Sequence, residues 1–209
     1  MTWPELGALL LFATAMSFTP GPNTTLSAAI AANLGLRPAM RFVFAVPVGW
    51  GLMLAACAGG LGALVAAAPA LTGAIKLAGL AYMLWLALKL LRSSAAIGSA
   101  VHARLSVGFM QGVALQFVNI KAWMAALTVS AGWVAVRGPN GESAAMAQIA
   151  ERLLIVLPVM MAYAVASNFS YALIGASLRG WLSHGQRLMI FNRTLAALLV
   201  VTAAWMAWL

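Results

Sequence analysis

Thr19-Pro20-Gly21-Pro22-Asn23 lies late in the first long apolar run of the chain, after Leu9-Leu10-Leu11-Phe12 and before Leu26 to Ile30. Two prolines remove two backbone N–H donors, and the glycine between them is conformationally permissive. A continuous helix through these residues is not expected. In hydrocarbon such a break is tolerated only where protein or a water-filled cavity satisfies the freed carbonyls. The rest of the chain reads as a scaffold around this break and a second one at Asn119-Ile120-Lys121.

The 209 residues are 64% hydrophobic and 7% charged, against roughly 25% charged in a soluble domain. Several apolar runs reach the ~20 residues that cross a bilayer core as helix. Ala, Leu and Met dominate without the alternation of a transmembrane barrel. The expected class is an all-α polytopic membrane protein. The net charge of +9 comes from basic residues scattered singly at the ends of apolar runs, which sets topology and excludes a nucleic-acid stripe. Cys57 is alone, so no intrachain disulfide or cysteine metal framework forms. The first apolar run lacks a basic n-region and reads as a retained membrane segment.

Six spans are expected: about Glu5–Ile30, Phe42–Ala67, Leu71–Leu91, Val107–Val136, Ala147–Ala176 and Arg187–Trp208, with Leu178–Gly185 as an interfacial stretch. Gly49, Gly51, Gly59, Gly60 and Gly62 place the second span inside the bundle, since small residues let helices approach closely in lipid. Residues 96–106 form a polar linker between two three-span halves, 1–95 and 107–209. The breaks at 19–21 and 119–121 are a hundred residues apart, each late in the first span of its half. Three spans per half put the halves in opposite orientations, the inverted-repeat plan of many secondary transporters. The odd connections and their flanks hold Arg37, Arg41, Lys89, Arg92, Arg104, Arg179, Arg187 and Arg193, while the even ones hold Lys76, Arg137 and Arg152. The odd connections are therefore expected in the cytoplasm and both termini outside.

Lys121 is the basic residue that this assignment puts deep in a span, at a cost of about 2.5–3.5 kcal/mol on insertion scales, and it reads as functional. Gln116 and Asn119 beside it keep its surroundings polar. The chain has no Asp, and its glutamates are Glu5, Glu142 and Glu151. No carboxylate pair is available in the core for a proton relay or metal cage, and His102 and His184 fall in connections without metal-ligand spacing. Catalysis is disfavoured, and neither a metal nor another cofactor is expected. An amphoteric substrate fits what remains. Its carboxylate would meet Lys121 or the N–H groups of the half-helix after Pro22. Its ammonium would meet freed carbonyls, the Asn23 or Asn119 amides, or an aromatic face from Trp50, Trp85 or Trp123.

The run Thr19-Pro20-Gly21-Pro22-Asn23-Thr24 resembles the signature of the lysine-exporter and homoserine/threonine-exporter (LysE/RhtB) family. So do Lys76-Leu-Ala-Gly-Leu-Ala-Tyr82-Met-Leu-Trp85-Leu-Ala-Leu-Lys89, Gly108-Phe109-Met-Gln-Gly112, Asn119-Ile120-Lys121-Ala122 and Phe191-Asn192-Arg193. The resemblance covers essentially the whole chain. It implies a bacterial inner-membrane exporter of amino acids or small amphoteric derivatives, driven by the proton-motive force. Thr19, Pro20, Gly21, Pro22, Asn23, Asn119 and Lys121 match the family motifs. Ile120 stands where the family has proline, so the second break is expected to be milder. Trp50 stands where many members have an acid, which removes a protonatable group there. The expected site is thus Thr19, Pro20, Gly21, Pro22, Asn23, Trp50, Gln116, Asn119 and Lys121. An uncoupled facilitator and a non-transporting membrane assembly component are the alternatives. The expected partners are the substrate, the lipid bilayer and, as the one macromolecular candidate, a second copy of the chain.

Overall fold

The computed structural model describes residues 1–93, 105–136 and 144–208. The linker expected at 96–106, His102, Arg104, Arg137 and Glu142 lie wholly or largely outside the described residues. Nine α-helices follow in order among these residues: α1 (Trp3–Phe18), α2 (Pro22–Leu34), α3 (Leu36–Ala56), α4 (Gly62–Ala67), α5 (Pro69–Ser93), α6 (Phe109–Leu115), α7 (Ile120–Val129), α8 (Met146–Leu182) and α9 (Arg187–Trp208). A π-turn, Cys57–Leu61, joins α3 to α4. A 3₁₀ turn, Gln116–Val118, extends α6, and a second π-turn, Ser130–Val134, extends α7.

Among the described residues four stretches are long and apolar enough to cross a membrane: Leu36–Ala67 (which kinks at Gly60), Pro69–Ser93, Met146–Leu182 and Arg187–Trp208. The pair Phe109–Val118 and Ile120–Val134, bent by 73°, makes a fifth span if counted as one. The sixth expected span is the first one, and it is not a single helix. The prolines divide it into α1 of 16 residues and α2 of 13. At 1.5 Å per residue these are about 24 and 20 Å long, each short of a ~30 Å hydrocarbon core. Pro47 and Pro158 fall inside α3 and α8, within the spans expected there. One further boundary differs from expectation. The stretch 178–185 is not a separate interfacial segment, because α8 continues to Leu182 and turns at Gly185.

The core centres on α2. Thr24 through Ala32 are all buried, so this helix has no lipid-facing stripe. Its small side chains, Thr24, Thr25, Ser27, Ala28, Ala29, Ala31 and Ala32, let α8 pack against it closely. Gly175 of α8 sits on the Ala28 carbonyl so tightly that a Cβ there would lie 2.3 Å from the oxygen. The glycine-rich span is indeed interior, with 67% of its most apolar window buried. Gly49 of α3 meets the Val113 carbonyl of α6, where a Cβ would lie at 2.5 Å. The α2–α3 corner needs glycine for another reason: Gly35 has φ +99°, a left-handed backbone that side chains resist.

At the amino-terminal end, Thr2 and Glu5 cap α1 reciprocally, with Thr2 N donating to Glu5 Oε2 at 2.6 Å. Glu5 also pairs with Arg152 of α8 at 3.5 Å, and its carbonyl accepts from Trp133 Nε1 at 3.0 Å. The start of α1, the end of the bent pair and the start of α8 are thereby tied together.

Candidate functional site

At the first break, helix geometry leaves the last carbonyls of α1 without intrahelical donors. Three side chains from distant elements supply them. Ser167 Oγ donates to Ser17 O, Tyr171 OH to Phe18 O at 3.0 Å, and Lys121 Nζ to Thr19 O at 2.6 Å. The Thr19 hydroxyl turns back to Ala15 O. The cation held by the released carbonyls is therefore the chain's own lysine, placed at the negative end of the α1 dipole.

The second break is short. Only Asn119 leaves the helical conformation, at φ −93° and ψ 102°, where three residues separate α1 from α2. Retaining the Ile120 N–H in place of a proline fits this shorter interruption, but the bend of 73° is not mild. Asn119 makes it by capping: its Oδ1 accepts from Lys121 N at 3.2 Å, and its carbonyl accepts from Trp123 N at 3.1 Å. Trp123 Nε1 takes the Phe117 carbonyl at 2.8 Å. Side-chain chemistry here does what proline does at the first break.

Between the two breaks lies a cavity of about 80 Å³, bounded by α1, α2, α3, α7 and α8. Six of the nine expected site residues line it: Gly21, Pro22, Asn23, Trp50, Asn119 and Lys121. Thr19 reaches it only through the carbonyl that holds Lys121, and Pro20 is exposed. Gln116 is fully buried behind Asn23, exchanging amide hydrogen bonds with it at 2.7 and 3.3 Å and donating to Gly112 O at 3.0 Å. It fixes the Asn23 amide rather than facing the cavity. Trp50 Nε1 donates to Ala122 O at 3.2 Å, which leaves its ring as the aromatic wall. The other two tryptophans considered for that wall do not serve. Trp85 stacks on Tyr82 and carries Lys89 at 4.8 Å over its ring, on the lipid-facing surface, and Trp123 turns to the opposite side of α7.

Sequence reasoning passed over Asn168. It lines the cavity, donates to Ala164 O at 2.8 Å and accepts from Ser27 Oγ at 3.0 Å. An amide in the middle of an apolar span is itself a signal, because polar groups there are costly and face the bundle interior. Ser17 and Thr24 complete the polar lining, and Met16, Val46, Ala122, Ala125, Met160 and Ala164 form the apolar part. Among the described lining residues Lys121 is the one titratable side chain, and no group of acids, histidines and cysteines among the described residues is suited to a metal.

Gly21 has a role the sequence suggested for a different reason. Its backbone is extended, at φ −170° and ψ −175°, which any residue adopts. What excludes a side chain is Lys121: a Cβ on Gly21 would lie 2.9 Å from Cδ and 3.3 Å from Nζ. Gly21→Ala is expected to leave helix packing intact, because only a flexible side chain must move, while dislodging Lys121 from Thr19 O. Normal insertion with Lys121 displaced is the expected result, read as faster reaction of its amine with a water-soluble acylating reagent. An unchanged reaction rate would show that the lysine keeps its place.

Comparison with known proteins places this arrangement. The family of LysE type translocators matches residues 14–208. A cysteine/O-acetylserine efflux protein of Klebsiella pneumoniae subsp. pneumoniae is 31% identical over 206 residues, 97% of each chain. Proteins of the same description from Salmonella typhimurium and Escherichia coli are 33% and 31% identical over 134 residues, 64% of this chain and 68% of each relative. No solved structure matches the chain. The match over nearly the whole length, with long apolar helices among the described residues, makes this chain a member of the LysE type translocator family, a multi-pass membrane transporter rather than an enzyme.

Proposed function

We propose that this protein exports a small amino acid or a close amphoteric derivative, of the size class of cysteine and O-acetylserine, across the bacterial inner membrane. The observation that carries the reading is the Lys121 ammonium held on the Thr19 carbonyl, bridging the two helix breaks at one edge of a small polar cavity. A substrate carboxylate draws Lys121 off Thr19 O. The carbonyl so released, at the carboxyl end of α1, is an acceptor for the substrate's ammonium. One internal charged hydrogen bond is exchanged for two to the zwitterion, and each charge of the substrate acquires a partner without a carboxylate in the cavity. The Asn23, Asn119 and Asn168 amides supply the remaining polar contacts, and the Trp50 ring closes the apolar side.

In this reading the spans number six, with α1 and α2 together making the first and α6 and α7 the fourth, as two inverted three-span halves. The contacts support it. Each broken span packs on the long middle helix of the opposite half, α2 on α8 and α6 on α3, while α3 packs on α8 and α5 on α9. Such crossed pairing suits alternating access by movement of one half against the other around the fixed breaks. With odd connections cytoplasmic, both termini face the periplasm.

Proton coupling in this scheme runs through Lys121, the single titratable group among the described cavity residues. The test is uptake into inverted vesicles, which corresponds to export from the cell, across a panel of amino acids, with and without a pH gradient, in the wild type and in Lys121→Arg. A guanidinium keeps the charge but does not release its proton in this pH range. The expected result is that the arginine variant still binds substrate but loses its dependence on the gradient. Gradient-independent export by the wild type would favour the facilitator instead, and no export of any amphoteric solute would remove the proposal.

A further inference from the structure

A second cavity, of about 170 Å³, lies on the other side of α7 from the first. Its walls are Val65 of α4, Ile75 of α5, Ile120, Trp123 and Leu127 of α7, and Met206 of α9. Thr72 and Lys76, one turn apart on α5, are the polar residues of the lining, and Met124 forms the exposed rim. The Thr72 hydroxyl is already committed, donating to Val65 O at 2.7 Å. Lys76 is half-buried and has no hydrogen-bond or ion-pair partner among the described residues.

An unpartnered ammonium in the lining of an apolar cavity calls for an occupant with one anionic group and a hydrocarbon body. A zwitterionic amino acid suits it poorly, because the lining offers no anionic side chain for an ammonium. Lys76 is seven residues into α5, about 10 Å from the helix start along the axis. A lysine at that depth reaches a headgroup by extending its stem along the helix. We propose that this cavity seats an acyl chain of an anionic phospholipid, with its phosphate on Lys76 and its chain against Trp123 and Leu127. The two cavities share α7 as a wall, with Asn119 capping that helix and Lys121 in its first turn. A seated lipid thus braces the element that carries the transport lysine.

Trp123 supplies the readout. The full-length protein is reconstituted in phosphatidylcholine with increasing fractions of phosphatidylglycerol or phosphatidylcholine brominated on the chain. The Trp123 contribution is the difference in quenching between the wild type and Trp123→Phe. Brominated phosphatidylglycerol is expected to quench that contribution at about fivefold lower fraction than the phosphatidylcholine, as one basic residue near the membrane surface implies. In Lys76→Gln the two lipids should become equal. Equal quenching by both lipids in the wild type, a preference that survives Lys76→Gln, or no Trp123 contribution at all would each overturn the assignment. Should Trp123→Phe fail to fold, lipid retained through detergent purification gives a second measure: phosphatidylglycerol kept by the wild type and lost from Lys76→Gln supports the site, and equal retention overturns it.

Discussion

Lys121→Ala is expected to abolish export while leaving insertion into the membrane unchanged. The truncation removes the ammonium proposed to meet the substrate carboxylate and leaves Thr19 O without its 2.6 Å donor. Losing one partner of a hydrogen-bonded charge pair such as the proposed lysine–carboxylate contact typically costs 2–5 kcal/mol, which corresponds to export lowered roughly thirtyfold to several thousandfold. The fold should tolerate the change, since the freed carbonyl belongs to the exposed residue Thr19 and water can replace the lysine. Uptake of cysteine or O-acetylserine into inverted vesicles, normalised to protein in the membrane, measures both halves of the prediction. Near-normal export would take Lys121 out of the mechanism.

Gly175→Ala should fail in the opposite way, by weakening the fold. The Cβ it introduces would lie 2.3 Å from the Ala28 carbonyl oxygen and 3.1 Å from the Ala28 Cα. These are backbone atoms of a helix buried on every side, so neither α2 nor α8 has a flexible group to yield. Overpacking in a well-packed core costs typically 1–3 kcal/mol, a large fraction of a stability of about 5–15 kcal/mol. A thermal-shift measurement in detergent should show a Tm lower by several degrees, and Gly175→Leu should yield no monodisperse protein. Gly180→Ala on the same helix is the control, because a Cβ there meets nothing within 4 Å. Equal behaviour of the two alanine variants would mean that α2 and α8 are not locked at this contact.

Much of this architecture was legible because prolines and buried charges are local signals. Pro20 and Pro22 announced the first break, and Lys121 with Asn119 announced the second. The break expected in the first span is complete, since two prolines within three residues end α1 at Phe18 and restart the chain at Pro22. The second bend is larger than the sequence suggested, because an asparagine that caps the following helix redirects the chain without any proline. The partners of the freed carbonyls could not be read in advance. Ser167 and Tyr171 lie about 150 residues along the chain from the groups they satisfy, and only folding brings them there. Asn168 was within reach, by the same reasoning that singled out Lys121. The apolar assignment of Trp123 and Trp85 depended on which side of a helix each ring faces, which composition does not give.

In the proposed mechanism Lys121 exchanges the Thr19 carbonyl for the carboxylate of the substrate. An amino acid and its methyl ester, which keeps the ammonium and side chain but lacks the negative charge, separate that contact from the rest. Binding of O-acetylserine and its methyl ester to the purified protein, in the wild type and in Lys121→Ala, forms a two-by-two comparison in which only the carboxylate–lysine contact is shared. The account predicts that the wild type prefers the free acid by at least about tenfold, the weight of a charged hydrogen bond, and that the variant binds acid and ester alike. A wild type indifferent to the ester, or a variant that keeps the full preference, would contradict it.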